Sequence, residues 1–215
     1  GIVGHAAAVR GSGGAPGGDG ERPYKPLRRH RSGDSGKREG RMTVLTDDAI
    51  RMIDREVAKY PADQERTAVI AALAVAQDEN GWLSADVMDD VARYLGLPAV
   101  AVYEVASFYA MFELKPTGRF KLTICTNLPC ALQGAGVAAA HLKQKLRIQF
   151  GETTGDGKFT LKEGECFGAC GDAPVLLVNN KRMASFMNPP QLDALLDELS
   201  AAADRGEGAP GENRK

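Results

Sequence analysis

The chain contains four cysteines, Cys125, Cys130, Cys166 and Cys170, set out as Cys-x4-Cys and, further on, Cys-x3-Cys. Thiol pairs at such spacings suit two disulfides, a zinc site or an iron-sulfur centre. The opening residues GIVGHAAAVRG hold only a short apolar stretch, broken by Arg10 and glycines, which argues against a secretory signal. A reducing compartment, where structural disulfides are uncommon, is then the expected setting. Structural zinc sites most often leave a two-residue gap within each cysteine pair, and neither pair here has that gap. The spacing therefore favours one [2Fe-2S] cluster on four thiolates, with zinc as the main competitor and disulfides or unliganded cysteines behind it. Thiol catalysis would ask for Cys-x-x-Cys or a histidine close to a cysteine, and the sequence has neither. His5 and His30 lie in a glycine-rich stretch, and His141 sits mid-helix among alanines, a surface or packing position. No independent catalytic residue is expected.

The elements that must position these thiols are legible in the periodicity. Phe120-Lys121-Leu122-Thr123-Ile124-Cys125 alternates apolar and polar residues as a strand does, and residues 131–146 return to a helical pattern. Cys125 thus ends a strand and Cys130 opens a helix, whose free N–H groups face the sulfurs and suit an anionic centre. Thr153-Thr154-Gly155-Asp156-Gly157 is turn chemistry ahead of a second strand at Phe159-Thr160-Leu161. Gly164, Gly168 and Gly171 let the second cysteine loop bring its backbone close to a metal. Val175 to Val178 is a short apolar run, and Asn179-Asn180 allows a tight hairpin back through Lys181, Arg182 and Met183. A last helix spans 189–202, with Asn188 as its cap and Leu192, Leu195, Leu196 and Leu199 on one side.

Ahead of this region the pattern is helical from Thr46 to Ala106. Thr46 caps a helix begun by Asp47 and Asp48, with Ile50, Ile53 and Val57 on one face and Pro61 beyond its end. A second helix spans 64–80 and ends at Gly81; a third, capped by Ser84, buries Val87, Met88, Val91, Ala92 and Leu95 before Gly96; Pro98 starts a fourth. Phe108, Tyr109, Met111 and Phe112 read as core or inter-domain packing, with a partner-binding face as the alternative.

Residues 1–41 hold 11 of the 25 glycines and nine Lys and Arg against four Asp and Glu. They are expected to be a disordered extension, with Met42 as a natural start and a mitochondrial transit peptide as the rival reading. The remainder carries 18 Lys and Arg against 24 Asp and Glu, a net of −6, which argues against a nucleic-acid surface. No apolar run approaches the length of a bilayer span, so membrane association must come through a partner. The expected organisation is an α+β chain: extension 1–41, helical bundle 42–115, α/β domain 116–203 and disordered tail 204–215.

CTNLPC at 125–130 followed by GECFGACGDAP at 164–174 resembles the thioredoxin-like [2Fe-2S] ferredoxin family. The likeness is greatest to its members in respiratory NADH:quinone oxidoreductase (complex I), and it extends to Val105-Ala106-Ser107-Phe108-Tyr109, Pro116 and Gly118. It implies a thioredoxin-like fold for the second half and Cys125, Cys130, Cys166 and Cys170 as ligands of one [2Fe-2S] cluster. Each loop's pair is expected to hold one iron. The resemblance further implies an electron-transfer subunit packed against a flavoprotein that carries FMN and binds NADH. Other peripheral-arm subunits complete the partner set, on the cytoplasmic side of the inner membrane or in the mitochondrial matrix. Equivalent subunits of NAD-linked formate dehydrogenases and NAD-reducing hydrogenases share these motifs. A zinc-stabilised interaction module is the distant alternative.

Overall fold

The computed structural model describes residues 44–61 and 64–208; the expected N-terminal extension and residues 209–215 lie outside them. Four helices come first: α1 (Asp47–Val57), α2 (Val69–Asn80), α3 (Ala85–Leu95) and α4 (Ala99–Phe108). Their boundaries follow from local chemistry. Thr46 accepts a hydrogen bond from Ala49 N, Ser84 accepts one from Val87 N, and α2 and α3 end on Gly81 and Gly96 in the left-handed conformation. The helix expected over 64–80 begins instead as a 3-10 turn over Glu65–Ala68, because no side chain caps it at Gln64 and the tighter turn satisfies the first N–H groups. Ile53, Leu73, Leu83, Val87, Val91 and Val102 form the bundle's core, with Phe112 closing it.

The second half is a four-stranded sheet in the order β2-β1-β3-β4, built from β1 (Phe120–Cys125), β2 (Phe159–Gly164), β3 (Leu176–Val178) and β4 (Arg182–Ala184). β1 and β2 are parallel and the other pairs antiparallel. Asn179 and Asn180, both at positive φ, make the tight β3–β4 turn. Three helices accompany the sheet: α5 (Leu128–Leu132), α6 (Ala135–Leu146) and α7 (Pro189–Asp204). Side chains alternate across a strand, so Phe120, Leu122, Ile124, Phe159, Leu161, Leu176 and Val178 share one face. There they pack on Ala138 and Leu142 of α6 and Leu192, Leu195, Leu196 and Leu199 of α7. Each such leucine contributes about 1.5–3 kcal/mol by leaving water. Helix α7 runs two residues beyond its expected end, and residues 205–208, expected in the tail, form turns in which Glu207 O accepts from Arg119 Nη1.

The segment after α4 ties the bundle to the other face of the sheet. Met111 O accepts from Gln77 Nε2 at 3.0 Å and Asn180 Nδ2 at 2.9 Å, and Gln77 Oε1 accepts from Glu113 N. The Glu113 carboxylate reaches Lys121 of β1 at 2.8 Å and Lys162 of β2 at 2.9 Å.

Candidate metal centre

Both cysteine pairs sit at the C-terminal end of the parallel strand pair, where β1 and β2 stop in register with Cys125 opposite Gly164. After Cys125 the chain enters α5, which starts at Leu128, three residues ahead of the expected helix. Asn127 accepts from Leu128 N and Pro129 stands in the first turn, so the helix begins early. It breaks at Gly134, at φ 93°, and α6 follows. The expected single helix over 131–146 is therefore two, and Cys130 lies inside the first rather than at the head of the second. Asn127 and Pro129 were the signals for this start.

The loop after β2 carries Cys166 and Cys170 and ends in a 3-10 turn over Cys170–Asp172. Two side-chain clamps hold the loops together: Thr126 Oγ1 donates to Glu163 Oε1 at 2.8 Å and Asn127 Nδ2 to Glu165 Oε2 at 2.9 Å. Phe186 N donates to Asp172 O and Ser185 Oγ to Asp172 Oδ2, fastening the far side of the second loop. The Ala173–Pro174 bond is cis, and Cys125 N donates to Val175 O at 3.0 Å just beyond it. Apart from Asn127, these clamping residues do not stand out in the sequence, because polar side chains around loops carry no periodicity.

The four thiols form two unlike pairs. Cys125 and Cys130 are each 1% exposed, in an apolar cluster with Ala135, Ala173 and Val175 that Phe167 and Ala169 flank. Cys166 and Cys170 are exposed, their sulfurs 3.8 Å apart. Burial pushes the Cys130 thiol up, its hydrogen bond with Cys125 adds to this, and a backbone bond at Val175 opposes it. The Cys170 thiol is raised first by its hydrogen bond with Cys166. The register that sets Cys125 opposite Gly164 brings the two cysteine loops off the same end of the strand pair. Among the described residues no three His, Cys, Asp or Glu side chains already close around a single ion.

The donor set fits a thiolate-bound cluster. Four cysteines lie at one end of the sheet, and Gly168 N donates to Cys166 Sγ at 3.4 Å, the kind of N–H···S contact that stabilises anionic sulfur. Thr123 Oγ1, two residues before Cys125 on the same strand face, is buried and has no hydrogen-bond partner among the described residues. Gly164 is required by close approach: a Cβ there would stand 2.6 Å from Phe167 Cζ and 2.7 Å from Thr123 Cγ2. Of the three histidines only His141 is described, and it pairs with Asp193 at 2.9 Å, far along the sequence from both loops.

The aromatic group after α4 divides. Phe112 is buried as expected of packing, whereas Phe108 is 80% exposed and Tyr109 and Met111 are also exposed. Helix α4 ends at Phe108, and the turn that follows aims only one of the four residues inward. No helix among the described residues is long and apolar enough to cross a membrane.

Comparison with known proteins agrees with this architecture. The model of the thioredoxin-like [2Fe-2S] ferredoxin family matches residues 53–200. An NADH-quinone oxidoreductase subunit of Rhizobium meliloti (strain 1021) is 42% identical over 165 residues, 74% of this chain and 96% of that protein. The mitochondrial NADH dehydrogenase [ubiquinone] flavoprotein 2 of Dictyostelium discoideum is 43% identical over 156 residues, 72% of this chain and 63% of that one. The crystal structure of an NAD+-reducing [NiFe]-hydrogenase in the H2-reduced state superimposes with a TM-score of 0.53 at 25% identity, over 60% of this chain and 22% of the hydrogenase chain. With its helical N-terminal region followed by a mixed sheet that ends in two cysteine loops, the chain belongs to the thioredoxin-like [2Fe-2S] ferredoxin family.

Proposed function

We propose that this chain is the electron-transfer iron-sulfur subunit of an NADH:quinone oxidoreductase (complex I), with Cys125 and Cys130 on one iron and Cys166 and Cys170 on the other. What supports this is the register that sets Cys125 opposite Gly164, so that both cysteine loops leave the same end of β1 and β2, in a chain whose relatives are subunits of that complex. When bound, a [2Fe-2S] cluster supplies reversible transfer of single electrons. The chain's part is to hold and insulate. The buried pair, with Ala135, Ala173, Val175 and Phe167, excludes water from one side, while backbone N–H groups such as that of Gly168 stabilise negative sulfur. The exposed pair leaves the other side open to an electron partner.

In this reading residues 42–115 act as the helical bundle and residues 116–203 as the cluster-bearing domain. The subunit has no active site of its own: FMN and NADH belong to a flavoprotein partner, and the chain reaches the inner membrane through the complex, on its cytoplasmic or matrix side. A second reading, the equivalent subunit of an NAD-reducing hydrogenase or formate dehydrogenase, is favoured by the resemblance to the hydrogenase structure. The proteins that co-purify with the chain decide between the two.

Metal and sulfide analysis of the full chain, with a paramagnetic spectrum after reduction, tests the cluster. Two irons and two sulfides per chain are expected. Cys125→Ser should abolish or alter the spectrum while the far-UV circular dichroism of the helices stays. Zinc in place of iron, or an unchanged spectrum in the variant, would refute the ligand assignment.

A further inference from the structure

The sheet face turned away from α6 and α7 presents Lys121, Thr123 and Cys125 on β1 and Thr160, Lys162 and Gly164 on β2, since alternate residues share a face and register pairs Thr123 with Lys162. On this face Glu113 lies between two lysines, Lys121 Nζ at 2.8 Å and Lys162 Nζ at 2.9 Å from both carboxylate oxygens. The Lys121 and Glu113 side chains are 6% and 10% exposed. Two ammonium groups thus share one carboxylate, leaving an excess positive charge largely out of water. A buried ion cluster is poor evidence for stability, because desolvation offsets most of the attraction, and an unbalanced one is poorer still. Some other effect must account for the surplus.

Its location supplies one. At about 3.3 Å per residue, the backbone of Lys162 stands about 7 Å along the strands from the level of Cys125 and that of Lys121 about 13 Å, while both ammonium groups meet at Glu113. Thr123 stands on this face between Lys121 and Cys125, and the Phe167 ring lies against Gly164, matter that screens a charge far less than water does. Glu163 and Glu165, which belong to the same region, are exposed, so solvent and salt weaken their opposing field.

We propose that Glu113, Lys121 and Lys162 are positioning residues that set the reduction potential of the centre, their surplus positive charge favouring the state with one more electron. This rests on the four cysteines being the cluster ligands. Reduction adds one electron, supplied by dithionite in the test and by the flavoprotein partner in the complex; no bond forms or breaks and no proton moves.

The test is a redox titration of the full chain, reconstituted with iron and sulfide and followed by its paramagnetic signal. Lys162→Met and Lys121→Met should each shift the midpoint potential downward, and Glu113→Gln should shift it upward. The double variant Glu113→Gln/Lys162→Met restores the original net charge and should return close to wild type. A purely structural role would not give opposite signs, so potentials that coincide, or that all move the same way, overturn the proposal. Should Glu113→Gln fail to fold, Lys162→Met, whose side chain is 27% exposed, still decides: an unchanged potential sinks the idea. A wild-type chain that takes up no cluster refutes the ligand assignment instead.

Discussion

Gly164 marks the narrowest point between the two cysteine loops. A methyl group there would overlap the Phe167 ring and the Thr123 methyl, and Thr123, β-branched and fixed in a strand, has little freedom to give way. Gly164→Ala should therefore cost about 1–3 kcal/mol as overpacking, read from urea unfolding of the full chain. A loss under a few tenths of a kcal/mol would mean that Phe167 simply swings aside. The cysteines themselves were legible in the sequence because thiol pairs are rare and their spacing is chemistry in itself. Glu113, Lys121 and Lys162 were not. The alternation around Lys121 and Thr123 reads as an apolar face backed by water, yet Lys121 is buried, because the segment after α4, with Met111 and Glu113, lies against that second face. A period-2 pattern reports which residues share a face and says nothing about what lies on it.

At the scale of the element, helix ends are more legible than helix continuity. Thr46, Ser84 and Asn188 accept the hydrogen bonds expected of caps, and Gly81 and Gly96 end their helices as left-handed residues. Replacing Asn188 by Ala removes the acceptor for Gln191 N at the head of α7, the helix that brings four leucines to the core. The expected loss is about 1 kcal/mol of unfolding free energy, and no change would show that the two prolines of the first turn set the start of α7 unaided. Where periodicity suggests one helix through residues 131–146, Gly134 divides it, and where it suggests one from Gln64, a 3-10 turn intervenes. Both breaks fall in stretches whose composition suits a helix on either side. Apolar spacing alone does not detect a change of axis.

At the scale of the molecule, the charged contact between bundle and sheet gives a pH signature. Burial holds the Lys121 pKa below its ordinary value of 10.5, with the adjacent Glu113 carboxylate opposing the shift. The folded chain then releases this proton at lower pH than the unfolded chain does. Between the folded value and 10.5 the unfolded state binds more protons, so the contribution of Lys121 to stability rises as pH increases through that window. In parallel denaturations, the difference between wild type and Lys121→Met should move in favour of wild type as pH is raised toward 10.5. A difference that is flat, or that moves the other way, would mean that Glu113 outweighs the cost of burial.

The strand order has a further consequence for how the protein is made. β1 lies inside the sheet, between β2 and β3, although it is synthesised before either. Cys125 and Cys130 leave the ribosome 36 or more residues ahead of Cys166, and at about 5–20 residues per second they precede the second cysteine loop by about 2–8 seconds. During that interval the earlier thiols have neither neighbouring strand nor sister loop to shelter them. If the four cysteines hold one cluster, iron and sulfide can be inserted only after both loops have been made, and the earlier thiols are open to stray oxidation or the wrong metal until then.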